Sequence, residues 1–183
     1  MKKKQVGLHV FLNLRVMIFA AILAAMSIVL GKYLRIDVSG VIRISFENLP
    51  IIMSGIFFGP VVGVLTAVVA DIVGCILVGL DINPLITVGA AAIGLTSGLV
   101  SHYIVKNPLS LRIAASVAAA HLLGSVLIKT YALSVYYTMP IYELALWRLL
   151  TYTIIGTAEF FIIYMLIRNR AISAQLERLV SKK

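Results

Sequence analysis

The chain has 183 residues, 61% of them hydrophobic and 13% charged, with a mean hydropathy of +1.05 and a net charge of +9. A soluble domain of this size places about a quarter of its residues in charged types, so a soluble fold is excluded. Its single cysteine, Cys75, excludes a disulfide framework and a clustered cysteine metal site; within an apolar run it reads as a small buried hydrophobe.

Charge falls between apolar runs of roughly twenty residues, the length that spans a hydrocarbon core. Such runs must satisfy their backbone internally, which continuous apolar segments do as helices. The alternation of a membrane barrel is absent. The expected fold is an all-α integral membrane protein, a compact bundle of six transmembrane helices with both termini cytoplasmic. It forms a single membrane domain over residues 1–183, with a basic N-terminus (1–14) and a basic tail (168–183).

In chain order, Met1-Lys2-Lys3-Lys4 opens a basic segment. The following run, Val16 to Leu30, ends without a small-x-small cleavage site, so an uncleaved first helix is expected rather than a signal peptide. Lys32 to Ser45 is polar and contains Ser39-Gly40, yet it carries the apolar residues Ile36, Val38, Val41, Ile42 and Ile44. This pattern predicts a short external hairpin-like loop folding over the bundle, with Gly40 allowing the bend. The second span, Asn48 to Phe58, stops at Gly59-Pro60 and is too short to cross upright; it must be tilted, partly buried or extended by its flanks. The remaining spans are Val61 to Leu80, Leu85 to Val105, Leu111 to Tyr136, and Glu143 to Ile167.

Cytoplasmic termini place eleven of the 16 Lys and Arg residues inside; Lys32, Arg35, Arg43, Lys129 and Arg148 lie outside or within helices. That asymmetry obeys the positive-inside rule. The positive charge is therefore a topology signal facing anionic lipid of the bilayer, and no nucleic-acid partner follows from it.

Small residues let helices approach closely in lipid. Ala20, Ala21, Ala24 and Ala25 form such a face on the first span, which suits docking of a partner subunit. Ordinary packing inside the bundle is the alternative for this and the other small-residue pairs.

Ionisable residues within spans are costly to place and therefore informative. At about 1.5 Å per residue, Asp71, Lys129 and Arg148 converge on one depth range open to the outside. One reading is a structural ion-pair network; the other is a site for an anionic ligand, with cations for carboxylates and an acid for a donor-rich group. His121, Glu159 and His102 read as structural, and Glu47 as an acid favouring the N-terminus of the second helix. Tyr131, Tyr136, Tyr137, Tyr142, Trp147 and Tyr152 gather at the outer end, as an interfacial belt or as stacking faces for a flat ligand. No HExxH motif, paired intramembrane aspartates, nucleophile elbow or P-loop is present, so enzymatic activity is not expected. No cofactor or metal is expected either.

Arg43-Ile-Ser-Phe46, Leu49-Pro50-Ile-Ile-Met-Ser-Gly55 and Phe58-Gly59-Pro60 resemble the second-helix signature of S components of energy-coupling factor (ECF) vitamin transporters. Gly63 to Gly74, with Ala70-Asp71, resembles the helix that follows. Leu127-Ile-Lys129-Thr130-Tyr131, Trp147-Arg148-Leu149 and Ile155-Gly156-Thr157-Ala158-Glu159 are similar to the folate-type branch. The segment Asn83-Pro-Leu-Ile-Thr87 departs from the Pro-Gly-Phe-Thr pattern of that branch. The resemblance runs from Phe19 to Arg168 and implies a six-helix protein of the bacterial plasma membrane. Such a protein captures a vitamin outside and docks on a transmembrane coupling subunit served by two cytoplasmic ATPase subunits. It implies Ala20, Ala21, Ala24 and Ala25 as the docking positions. For folate, Lys129, Arg148 and Arg43 would meet glutamyl carboxylates and Asp71 the pterin, with Thr87, Tyr131 and Trp147 completing the substrate-binding set. Pantothenate, riboflavin or another vitamin, and a scaffold without ligand, are the alternatives.

Overall fold

A computed structural model describes residues 13–39, 42–170 and 173–174. Its elements are α1 (Leu14–Tyr33), β1 (Ile36–Ser39), β2 (Ile42–Ile44), α2 (Asn48–Phe58), α3 (Pro60–Leu77), α4 (Pro84–Ile104), α5 (Leu109–Tyr136) and α6 (Ile141–Arg168). All except α2 among the helices are long and apolar enough to cross a membrane.

Local chemistry accounts for the boundaries. Asn13 Oδ1 accepts from the Arg15 amide at 3.1 Å and opens α1, as Asn83 Oδ1 does for α4 with the Leu85 amide at 3.0 Å. Gly59 turns at φ 98°, a left-handed conformation that disfavours any side chain, and Pro60 restarts the chain as the first residue of α3. The expected hairpin is present: β1 and β2 pair antiparallel, with Asp37 opposite Arg43 and Ile36 opposite Ile44. Gly40 and Val41, between the strands, lie outside the described residues.

The short second helix is buried within the bundle. Ile51, Ile52 and Ile56 of α2 are enclosed with Ile93 of α4, Ile113 and Val117 of α5, and Ile163 of α6. The helix acts as the bundle's internal post. α3 and α4 form the most extensive helix pair, with the glycines Gly63 and Gly94 at their crossing. Outward surfaces are apolar, as on α6, where Leu146, Leu150, Ile154, Phe161 and Met165 are exposed; hydrocarbon is a suitable solvent for them.

The alanine face of α1 is divided. Ala20 packs with Leu23, Phe58 and Val62, and Ala24 with Ile28 and Ala70. Ala21 and Ala25 are exposed. Of the four alanines read from the sequence as a docking face, two therefore point outward and two pack on α2 and α3.

Candidate functional site

Because the helices alternate in direction, α1, α3 and α5 end at the hairpin side of the bundle while α2, α4 and α6 begin there. Side chains near those ends enclose a cavity of about 190 Å³. Lys32 and Arg35 flank it from the end of α1, Asp71 and Cys75 from α3, Lys129 and Tyr136 from α5, and Arg148 and Tyr152 from α6.

Lys129, only 5% exposed, is the most buried cation among the described residues. Its Nζ lies 3.1 Å from Glu47 Oε1. Two glycines make room for the pair: a Cβ on Gly89 would lie 2.6 Å from Lys129 Cγ, and one on Gly31 2.7 Å from Glu47 Cβ. Ser27 of α1 holds the Glu47 carbonyl with its hydroxyl at 2.6 Å. Burial works to raise the Glu47 carboxyl, but the Lys129 ammonium, with Lys32 and Arg148 farther away, outweighs it and keeps Glu47 below the usual carboxylate range.

Arg148 is fixed by its neighbours. Its Nε and Nη2 donate to the Ser125 carbonyl at 3.1 and 2.9 Å, and Nη2 also lies 3.2 Å from the Tyr152 hydroxyl. The Ser125 carbonyl is accessible because α5 widens into a π-helical stretch at His121–Ile128, where the Lys129 amide bonds to Gly124 five residues back. Such bulges frequently mark functional positions. Asp71 Oδ2 accepts from the Thr87 hydroxyl at 2.6 Å, which orients the carboxylate from behind. Near the rim, Lys32 Nζ lies 3.6 Å from Cys75 Sγ.

Asp71, Lys129 and Arg148 are thus brought to one cavity, and Thr87 stands directly behind Asp71. Tyr131 and Trp147 are not: they are 57% and 58% exposed and absent from its lining. One helical residue away from Thr130 and Arg148 respectively, each points off the buried face of its helix. The Arg43 and Tyr137 side chains lie outside the described residues; the Arg43 backbone pairs with Asp37.

Sequence reasoning missed Glu47 as a lining residue. It makes no side-chain cap to α2 and instead holds Lys129, so its reading as a helix-dipole acid is corrected. The signal was present, since an acid beside a short, largely apolar helix calls for a cationic partner. Tyr152 was grouped with the aromatic belt but lines the cavity. His102 contacts the Ile56 carbonyl at 3.0 Å, and His121 pairs with Glu159 at 2.6 Å deep in the bundle.

A cavity with fixed cations and an oriented carboxylate suits a polar molecule. The chain belongs to the family described as "ECF transporter, substrate-specific component", whose profile matches residues 15–174. It is therefore a multi-pass membrane protein and the substrate-binding part of a transporter. Among solved structures, the crystal structure of FolT bound with folic acid has the same fold: the TM-score is 0.69 at 22% identity, covering 84% of this chain and 92% of that one. No curated protein matches the sequence.

Proposed function

We propose that this chain is the folate-binding subunit of an ECF importer in a bacterial plasma membrane. It takes folate from the outside and delivers it inward with a transmembrane coupling subunit and two cytoplasmic ATPase subunits. The observation that carries this reading is the pairing, in one cavity, of Lys129 and Arg148 with the Thr87-oriented carboxylate of Asp71. Folate presents the complementary set, glutamyl carboxylates as acceptors and a pterin ring whose N–H and amino groups donate. Arg148 keeps Nη1 for a carboxylate, since Nε and Nη2 are already committed. The likeness of the fold to a protein solved with folic acid supports the same choice.

At 190 Å³ the cavity lies below the roughly 300–1,000 Å³ usual for ligand pockets. A rim that moves outward and closes again over the ligand would give folate the room it needs. Ala21 and Ala25, on the exposed side of α1, are the positions offered to the coupling subunit.

The test is mass spectrometry of small molecules retained by detergent-purified protein, followed by calorimetric titration with folate. One folate per chain is expected. Retention of a different vitamin overturns the ligand assignment, and absence of any bound or titratable vitamin favours a scaffold.

A further inference from the structure

Beneath the cavity a chain of polar side chains continues into the apolar core. Ser125 is its hub. Its hydroxyl oxygen accepts from Asn48 Nδ2 of α2 at 3.3 Å and lies 3.3 Å from His121 Nδ1, while its carbonyl holds Arg148. His121 Nε2 lies 2.6 Å from Glu159 Oε2, and the imidazole stacks on the Tyr152 ring at 4.9 Å. Tyr152 in turn bonds Arg148 through its hydroxyl.

For a neutral imidazole facing an ionised Glu159 the network has one self-consistent direction. Asn48 donates to Ser125, the Ser125 hydroxyl donates to His121 Nδ1, and His121 Nε2–H donates to Glu159. Glu159 is fully buried, and its Oε1 has no partner among the described residues. A purely packing role gives no reason for a carboxylate there, since an orphaned buried oxygen is unfavourable. What the pair achieves is geometric. It fixes the imidazole plane, which stacks on the Tyr152 ring that bonds Arg148 and meets the side chain of Ser125, whose carbonyl Arg148 holds.

We propose that Glu159 and His121 are positioning residues for ligand capture: through Ser125 and Tyr152 they set the direction in which Arg148 presents its guanidinium to the cavity. Arg148 and Glu159 are eleven residues apart on α6, about 16 Å along a helix. The pair therefore acts from well below the ligand. The idea rests on the folate reading only for the identity of the ligand, and its first test needs none.

The first test is exchange of the Arg148 Nε–H with solvent, followed by NMR on the full chain in detergent with arginine labelled at Nε. Glu159→Ala should accelerate this exchange about ten-fold, the scale of one hydrogen bond lost from a coupled set. Glu159→Gln retains an acceptor for His121 and should restore slow exchange. Should Glu159→Ala fail to fold, His121→Asn carries the same expectation. Exchange within two-fold of wild type in the folded variant overturns the proposal.

The second test is a double-mutant cycle on folate affinity. Glu159→Ala should weaken binding about five- to ten-fold in the wild-type background and leave it unchanged in an Arg148→Ala background, since coupled residues are not additive. An equal loss in both backgrounds means a general structural role and overturns the proposal. Failure of the wild type to bind folate would overturn the ligand assignment alone, and the exchange measurement would still decide the positioning role.

Discussion

Lys129→Met is the most direct perturbation of the site, because it removes the ammonium and keeps most of the side-chain volume. Two consequences can be separated. On the folding side, Glu47 loses its cation, but Glu47 is 29% exposed at the side chain, so water reaches it. The cost should be close to the ~1 kcal/mol upper range of exposed pairs, well short of the roughly 3–5 kcal/mol for breaking a fully buried pair. On the ligand side, a charge-assisted hydrogen bond of about 1.5–3 kcal/mol disappears, which weakens binding roughly ten- to 150-fold. Isothermal titration with folate on the detergent-purified variant measures the second effect, and thermal melting of the empty protein the first. Glu47→Gln supplies the opposite sign: it frees Lys129 from its resting partner and should leave affinity equal or tighter. A Lys129→Met dissociation constant within two-fold of wild type, with an unchanged melt, would refute Lys129 as a ligand contact. A marked weakening in Glu47→Gln would instead make the glutamate itself a ligand contact.

Three further outcomes are expected. Ala21→Trp with Ala25→Trp should leave folate binding intact and abolish uptake and co-purification with the coupling subunit, because bulk blocks close helix approach; an undiminished complex excludes this face. Cys75, the only cysteine, borders the cavity, so folate should slow its modification by a small thiol reagent by an order of magnitude, as judged by intact mass; equal rates with and without folate place the ligand elsewhere. Spin labels at Ile36 on β1 and Tyr142 on α6, both exposed, should give a broad distance distribution in the empty protein that narrows with folate, as lid closure requires; identical distributions mean a fixed rim.

Most of the helical architecture was legible from apolar runs and their punctuation. Asn13, Gly59-Pro60, Asn83-Pro84 and Pro140 stand at helix boundaries for reasons of backbone chemistry that a single sequence displays. Depth counting along the spans also brought Asp71, Lys129 and Arg148 to a common level, because helical rise is constant. Azimuth was less accessible. Small residues at positions 20, 21, 24 and 25 occupy two adjacent faces, and only packing reveals that 20 and 24 turn inward. The same limit applies to Tyr131 and Trp147, each one residue, or about 100° of helical rotation, away from a buried neighbour. The widened turns of α5 add a further rotation that no periodicity in the sequence announces. Glu47 was missed because its partner lies 82 residues away, and a short sequence window offers only the helix start beside it.

The glycines at the α2, α3 and α4 contacts divide the molecule mechanically. A Cβ on Gly55 would lie 2.8 Å from the Gly94 carbonyl oxygen, one on Gly63 2.5 Å from the same atom, and one on Gly98 2.5 Å from Pro60. Backbones meeting at this separation have no side-chain cushion through which to slide. These three helices therefore behave as a keel. Asp71, with Thr87 behind it, belongs to the keel, and α5 is joined to it at Gly124, where a Cβ would lie 2.8 Å from the Gly89 carbonyl oxygen; Arg148 and Lys32 ride on α6 and α1. A ligand spanning Asp71 and Arg148 would tie the keel to α6, so that occupancy would stiffen the whole body.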